Sequence, residues 1–243
     1  MDCIARVGAA LAAGLIAIAA TAESGVKRGA LCITIDDRRL DNWEASLPLF
    51  AKYGAHATFF VCGPIDTKAE ACLRRLSEAG HSIGLHGLNH LKVPPSVVKL
   101  GEEGYIAAEI LPQLSVCREK GLPVRSFAYP MSAHTPQTDA LLLKHFCRLR
   151  GGGGEFKEPF PFAETGKRRF MAGLGSVGVR NTGEKVAGML HEVAERNLVL
   201  VAYTHGILDT PTTHCTSRTD LELILSTAKK LGVAVLGFDE LPD

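Results

Sequence analysis

The chain has 243 residues, 46% hydrophobic and 22% charged, with a formal net charge of +1. That length suits one α/β domain or two small ones. Near-neutral charge argues against nucleic acid as a partner, which calls for a basic surface, and gives no sign of electrostatic docking on a membrane.

Residues 1–22 stand apart from the rest. No charge follows Arg6 until Glu23, Ala, Leu and Ile dominate, and Ala20-Thr21-Ala22 offers small residues where a signal peptidase would cut. The pattern predicts a cleaved secretory signal, hence an exported (periplasmic or extracellular) protein, and a single domain over residues 23–243. The uncharged run 7–22 is short for a spanning helix, which needs about 20 residues, so no stable membrane span is expected after cleavage. A retained membrane anchor is the competing reading. Six cysteines remain (Cys32, Cys62, Cys72, Cys117, Cys147 and Cys215) and none forms a CxxC pair. They read as small buried hydrophobes rather than a disulfide framework, metal ligands or nucleophiles.

Strand and helix signals then alternate. Strands are predicted over 30–35, 57–61, 82–85, 126–129, 198–203 and 233–238, with one more hidden somewhere in 172–179. Helices are predicted over 42–53, ended by Gly54, and over 68–79, with Thr67 as N-cap and Gly80 after the end. Further helices are expected at 96–120, broken near Pro112, and at 136–146, 184–196 and 220–231. Residues 151–154 are a run of four glycines, read as a break, and no period shows from there to about residue 180. Repeated strand–helix units with near-continuous apolar strands imply a parallel sheet covered by helices. Periodicity alone does not choose between a barrel and an open doubly wound sheet, but both place sites at the carboxyl ends of strands.

Two motifs carry chemistry. Thr34-Ile35-Asp36-Asp37 closes the apolar run Ala30-Leu31-Cys32-Ile33. Adjacent carboxylates at the end of a buried strand are costly unless a metal ion or a proton-transfer role compensates. About 50 residues later, His86-Gly87-Leu88-Asn89-His90 supplies two imidazoles at i, i+4 after another strand-like run. One Asp and two His form a workable ligand set for a catalytic divalent metal with a position left open for water.

These two motifs, with Tyr129-Pro130 and Tyr203-Thr204-His205, resemble the ordered motifs of the polysaccharide deacetylase family, the family-four carbohydrate esterases. The resemblance runs from about residue 31 to 241. It implies an α/β fold, a distorted, incomplete (β/α) barrel with about seven parallel strands. It implies that Asp37, His86 and His90 hold one divalent ion, that Asp36 is the general base and that His205 is the acid protonating the departing amine. Zinc is the default for this ligand set, though cobalt or nickel would fit. The Tyr129-Pro130-Met131 turn would supply the oxyanion donor as the Met131 backbone N–H. The implied activity removes N-acetyl groups from an N-acetylated polysaccharide or its oligomers, with carbohydrate as the partner molecule. Hydrolysis of another non-peptide amide, such as a cyclic ureide or imide, is an alternative, as is a non-catalytic carbohydrate-binding or metal-binding module.

Two departures bear on these roles. The family's third motif carries an Arg that orients the base; here Ala128 stands in its place, in a Phe127-Ala128-Tyr129-Pro130-Met131 pattern resembling some biofilm-polysaccharide and peptidoglycan deacetylases. The fourth motif's Trp is missing, since the only Trp is Trp43, and no convincing Asp partner for His205 is found. His134 and His214 fall in loops at the site's expected edge and could contact substrate. His56, His81, His145 and His191 read as element-end or surface residues.

Overall fold

Side chains alternate between the two faces of each central strand, both of which are buried, and this alternation positions the site. The computed structural model describes residues 28–152 and 159–242. Strand β1 (Ala30–Asp37) leads through two short helices, α1 (Leu40–Glu44) and α2 (Leu47–Tyr53), to β2 (Ala57–Val61). Then come α3 (Thr67–Glu78), β3 (Ser82–Leu85), α4 (Val93–Tyr105), α5 (Leu111–Glu119), β4 (Val124–Ala128), α6 (Pro136–Leu142) and β5 (Arg148–Gly151). The second half holds β6 (Phe160–Pro161), β7 (Phe170–Ala172), α7 (Gly183–Arg196), β8 (Leu198–Thr204), β9 (Ile207–Leu208), β10 (Thr216–Ser217), α8 (Arg218–Leu231) and β11 (Ala234–Val235).

Seven strands run parallel in the order β8-β1-β2-β3-β4-β5-β7. Strand β6 adds antiparallel to β8, and β11 pairs with the start of β1. The sheet curls until the chain past β7 bonds back onto β8: the Leu174 N–H donates to the Val201 carbonyl (2.8 Å) and the Val177 N–H to the Tyr203 carbonyl (2.7 Å). An irregular seam thus closes the ring where an eighth strand would stand. The result is the distorted, incomplete (β/α) barrel that the resemblance implied, not an open sheet.

On β1, Leu31, Ile33 and Ile35 face the helices and join the larger core with Phe50, Phe59, Leu73, Ile83 and Leu225. Each such fully buried side chain contributes roughly 1.5–3 kcal/mol through the apolar area it removes from water. The alternate residues Ala30 and Cys32 join a smaller core with Phe60, Ala128, Val199, Val201 and Phe238. The same inward phase continues to Thr34 and Asp36 on β1, Arg148 and Arg150 on β5, and Tyr203 on β8. The barrel interior is therefore polar at its carboxyl end and mostly apolar below, where Arg148 is buried against the Phe238 and Leu241 carbonyls.

Several predicted boundaries shift, each for a local reason. The helix expected at 42–53 is split into α1 and α2, because Pro48 in the first turn of α2 has no N–H with which to continue a helix. Gly54 does end it, in the left-handed conformation (φ 60°). The N-cap of α3 is Asp66, not Thr67: its side chain accepts the Ala69 N–H at 2.9 Å. The long helix is broken at Gly101 (φ 74°, ψ 165°) and widens into a π turn at Ile106–Ile110, just before Pro112. The final strand shrinks to β11, because the Phe238 N–H donates to Thr58 Oγ1 (2.8 Å) instead of a ladder partner. Strand β5 was not predicted, since its inward residues are arginines and leave no apolar run. The hidden strand is β7, a little before the expected segment. The six cysteines are free. The predicted signal, residues 1–22, lies outside the described residues. No described helix is long and apolar enough to cross a membrane.

Candidate metal centre and catalytic pocket

Asp37 ends β1, while His86 and His90 lie in the loop after β3. His90 Nε2 is 3.2 Å from His86 Nε2, and Asp37 Oδ1 is 3.7 Å from His86 Nε2 and 3.6 Å from His90 Nε2. Three ligands about 2.0–2.1 Å from a tetrahedral zinc would stand about 3.4 Å from one another. The three donor atoms therefore fit one small divalent ion, with a fourth position open, and they are the one such group among the described residues. His86 Nδ1 lies 2.8 Å from the Ala128 carbonyl, so its proton sits there and the Nε2 lone pair faces the other two donor groups. Burial pushes His86 down to about 4, which keeps the imidazole neutral and able to ligate.

Backbone strain gathers at the same place. Five described non-glycine residues have positive φ, and four of them are Asp37 (77°), His90 (54°), Met131 (52°) and Ser132 (55°). The left-handed region costs an ordinary residue on the order of 1–3 kcal/mol and persists where the surroundings enforce it. For Asp37 the geometric use is plain. Strand alternation would send its side chain toward the helices, and the turn at φ 77° brings its carboxylate to the two histidines instead.

Asp36 keeps the inward phase and is only 2% exposed. Its Oδ2 pairs with a guanidinium nitrogen of Arg150, a residue 1% exposed on β5. The Arg150 guanidinium lies between the rings of Tyr203 (4.8 Å to centroid) and Phe60 (5.4 Å). Burial alone would raise the Asp36 carboxyl. Arg150, with His86 and His205 behind it, outweighs that and holds it below the usual carboxylate range. Asp36 Oδ1 is buried with no hydrogen-bond partner among the described residues, so one oxygen is fixed and the other is left to accept.

One cavity of about 490 Å³ gathers Asp36, His86, His90, Arg150, Tyr203 and His205, with Met131 and His214 at its edge. His205 follows β8, and its Nδ1 faces the His214 carbonyl (3.1 Å) and the Ser176 hydroxyl (3.5 Å). A backbone carbonyl and a hydroxyl thus stand where the family pattern has an Asp. Pro130 and Met131 lie in the turn after β4. The Tyr129 side chain is buried, its hydroxyl donating to Asp139 Oδ1 at 2.7 Å, so the ring braces the turn. His134 pairs with Asp139 (3.2 Å) and stacks on Phe170, whereas His214 reaches the cavity. His81, read from sequence as an element-end residue, is a core group: its Nδ1 accepts the Ala57 N–H at 2.9 Å and burial pushes it down to about 4.

Sequence reading missed Arg150. The residue pairs in register with Ala128, the position whose Arg is absent from the third motif. The Arg150 cation reaches Asp36 from the next strand over from Ala128. Its one sequence signal was an Arg-Leu-Arg alternation before the glycine run, which a search for apolar strands passes by.

A family model described as polysaccharide deacetylase matches residues 23–146, just over half of the chain. No curated protein matches it. Among solved structures it is similar to the polysaccharide deacetylase Bc1974 from Bacillus cereus, at 18% identity and a TM-score of 0.57 over 88% of this chain and 93% of that one. A family 4 carbohydrate esterase from Streptomyces lividans in complex with acetate aligns at 14% identity and TM-score 0.57, over 88% and 98%. A mutant of a pseudoenzyme of the same family, with restored enzymatic activity, aligns at 14% and 0.56, over 89% and 68%. At these identities the likenesses speak for the fold alone.

Proposed function

The chain belongs to the polysaccharide deacetylase family, and on that premise we propose that it is a metal-dependent hydrolase removing N-acetyl groups from an N-acetylated polysaccharide or its oligomers. The observation that carries the reading is the Asp37–His86–His90 donor set, whose two histidines line one cavity with a buried, ionised Asp36. A divalent ion held by that set, zinc by preference, would polarise the amide carbonyl and lower the pKa of water. Asp36 Oδ1 accepts the proton of the attacking water, while Arg150 holds Oδ2 and fixes the carboxylate's direction. The water oxygen bonds to the carbonyl carbon, and the Met131 backbone N–H donates to the oxygen that gains charge. His205 gives a proton to the nitrogen as the C–N bond breaks, since an amine leaves far more readily than its anion. Acetate and the free amine are the products.

The test is acetate release from chitin oligomers, a β-1,6-linked glucosamine polymer and peptidoglycan, after chelation and again after zinc, cobalt or nickel is restored. Loss on chelation with recovery on one of these substrates is expected. Metal bound tightly with no hydrolysis of any acetamide would favour a binding module, and turnover of a cyclic ureide alone would favour the other amidase reading. The proposal extends to export of a single domain, residues 23–243, with residues 1–22 removed. The mass of the secreted chain checks that step.

The role of His205 has a separate readout. An aryl oxide leaves without proton help, whereas an amine does not. His205→Ala, fully metal-loaded, should therefore lose about 10²–10⁴-fold on N-acetylglucosamine oligomers but only a little on 4-nitrophenyl acetate. Equal losses on both substrates would remove the acid role.

A further inference from the structure

Glu109 is 2% exposed, and no residue of the proposed reaction accounts for it. It lies in the π turn Ile106–Ile110, between α4 and α5. Its carboxylate reaches under the histidine loop, where Oε2 accepts the Asn89 backbone N–H (2.9 Å) and Oε1 the Asn89 side-chain amide (2.6 Å). Asn89 directly precedes His90, whose left-handed backbone needs outside support. One turn on, Gln113 donates to the Val61 and Gly63 carbonyls (3.4 and 2.8 Å) at the end of β2. The Gly63 N–H in turn donates to the Gly87 carbonyl, and the Cys62 N–H to the Asp37 carbonyl. The segments bearing all three ligands are thereby tied to one helix through two side chains spaced i, i+4. A π turn inserts a residue into the helical repeat and rotates the side chains beyond it, and such turns gather at functional sites.

We infer that Glu109 is a positioning residue for the metal centre: it clamps Asn89, holds His90 in its strained conformation, and adds a buried negative charge behind the ligand loop. The inference rests on the metal reading above. Among the described residues Glu109 has no cationic partner at hydrogen-bond distance, and such a carboxylate is costly to bury. Two charge-assisted bonds and a cation at the ligand set both offset that cost. Removing the partners that orient metal ligands typically weakens metal affinity about 10–100-fold.

The experiment measures zinc affinity by competition with a chromogenic chelator, and the cobalt(II) absorption spectrum, for the wild-type chain, Glu109→Gln and Asn89→Ala. Asn89 is exposed, so its variant keeps the fold even if burial makes the Glu109 change destabilising. Glu109→Gln should bind zinc about 10–100-fold more weakly, with an altered cobalt spectrum and an unchanged circular dichroism spectrum. Asn89→Ala, which keeps the backbone bond, should fall between it and wild type. Wild-type affinity and spectrum in both variants would overturn the inference and leave the metal reading intact. A wild-type chain that binds no metal would overturn both.

Discussion

Arg150→Met should lower acetate release by about 10²–10⁴-fold and destabilise the fold by about 3–5 kcal/mol. Both effects come from one contact, the buried pair with Asp36. A buried carboxylate stripped of its cation keeps the desolvation cost and loses the interaction that offset it. In the proposed mechanism Arg150 makes Asp36 a weaker base than a free carboxylate, but keeps it ionised and aimed. The sign of the pH dependence comes from the same contact. In the wild-type chain the folded Asp36 lies below its unfolded value, about 3.9. Its stabilising contribution is thus complete above that value and is lost as pH falls through the folded one. In Arg150→Met, burial is the largest influence left, and the folded value is expected to rise above the unfolded one. Stability should then be greatest in acid and fall as pH climbs through the raised value. The gap between the two proteins in urea unfolding should therefore widen from about pH 4 to neutrality. Arg150→Lys keeps the charge without the planar fork and should fall between them. An Arg150→Met chain with wild-type turnover and an unshifted urea midpoint would show that the pair serves neither purpose.

The two aspartates should separate just as sharply. Asp37→Asn is expected to lose its metal on gel filtration and all turnover with it. Asp36→Asn should keep a stoichiometric ion and lose about 10²–10⁴-fold in rate. The reason is geometric: Asp37 Oδ1 stands 3.6 and 3.7 Å from the two histidine nitrogens, whereas Asp36 turns inward to Arg150. Equal metal loss in both variants would mean that the carboxylates ligate together and that the base lies elsewhere.

The parallel sheet was legible because its strands are buried on both faces and so read as apolar runs, whereas the barrel came from the family resemblance alone. The grouping of Asp37, His86 and His90 was legible because an Asp pair and two histidines at i, i+4 stand at the carboxyl ends of nearby strands of a parallel sheet, which brings them together. Arg150 was hidden because the contact that defines it joins strands 114 residues apart in sequence. Glu109 was hidden because the π turn is a helical irregularity that no composition marks. The carbonyl behind His205 belongs to the backbone, and a sequence reader looking for an acidic partner has nothing to find. His81 was misread because a histidine between a helix and a strand looks like a surface residue until Phe50 and Phe59 pack around it.

The left-handed backbone at Asp37, His90, Met131 and Ser132 also bears on how such a chain would age. Glycine adopts that conformation with no side-chain clash, so at each of these positions it would relieve strain on the order of 1 kcal/mol. Selection for stability alone therefore pulls all four toward glycine, and on the proposed metal reading selection for chemistry holds a carboxylate and an imidazole at 37 and 90. In a lineage released from catalysis these should be among the first positions to drift, and a descendant with glycine there should be at once more stable and inert. Across relatives, side chains retained at these sites would record that activity is still under selection.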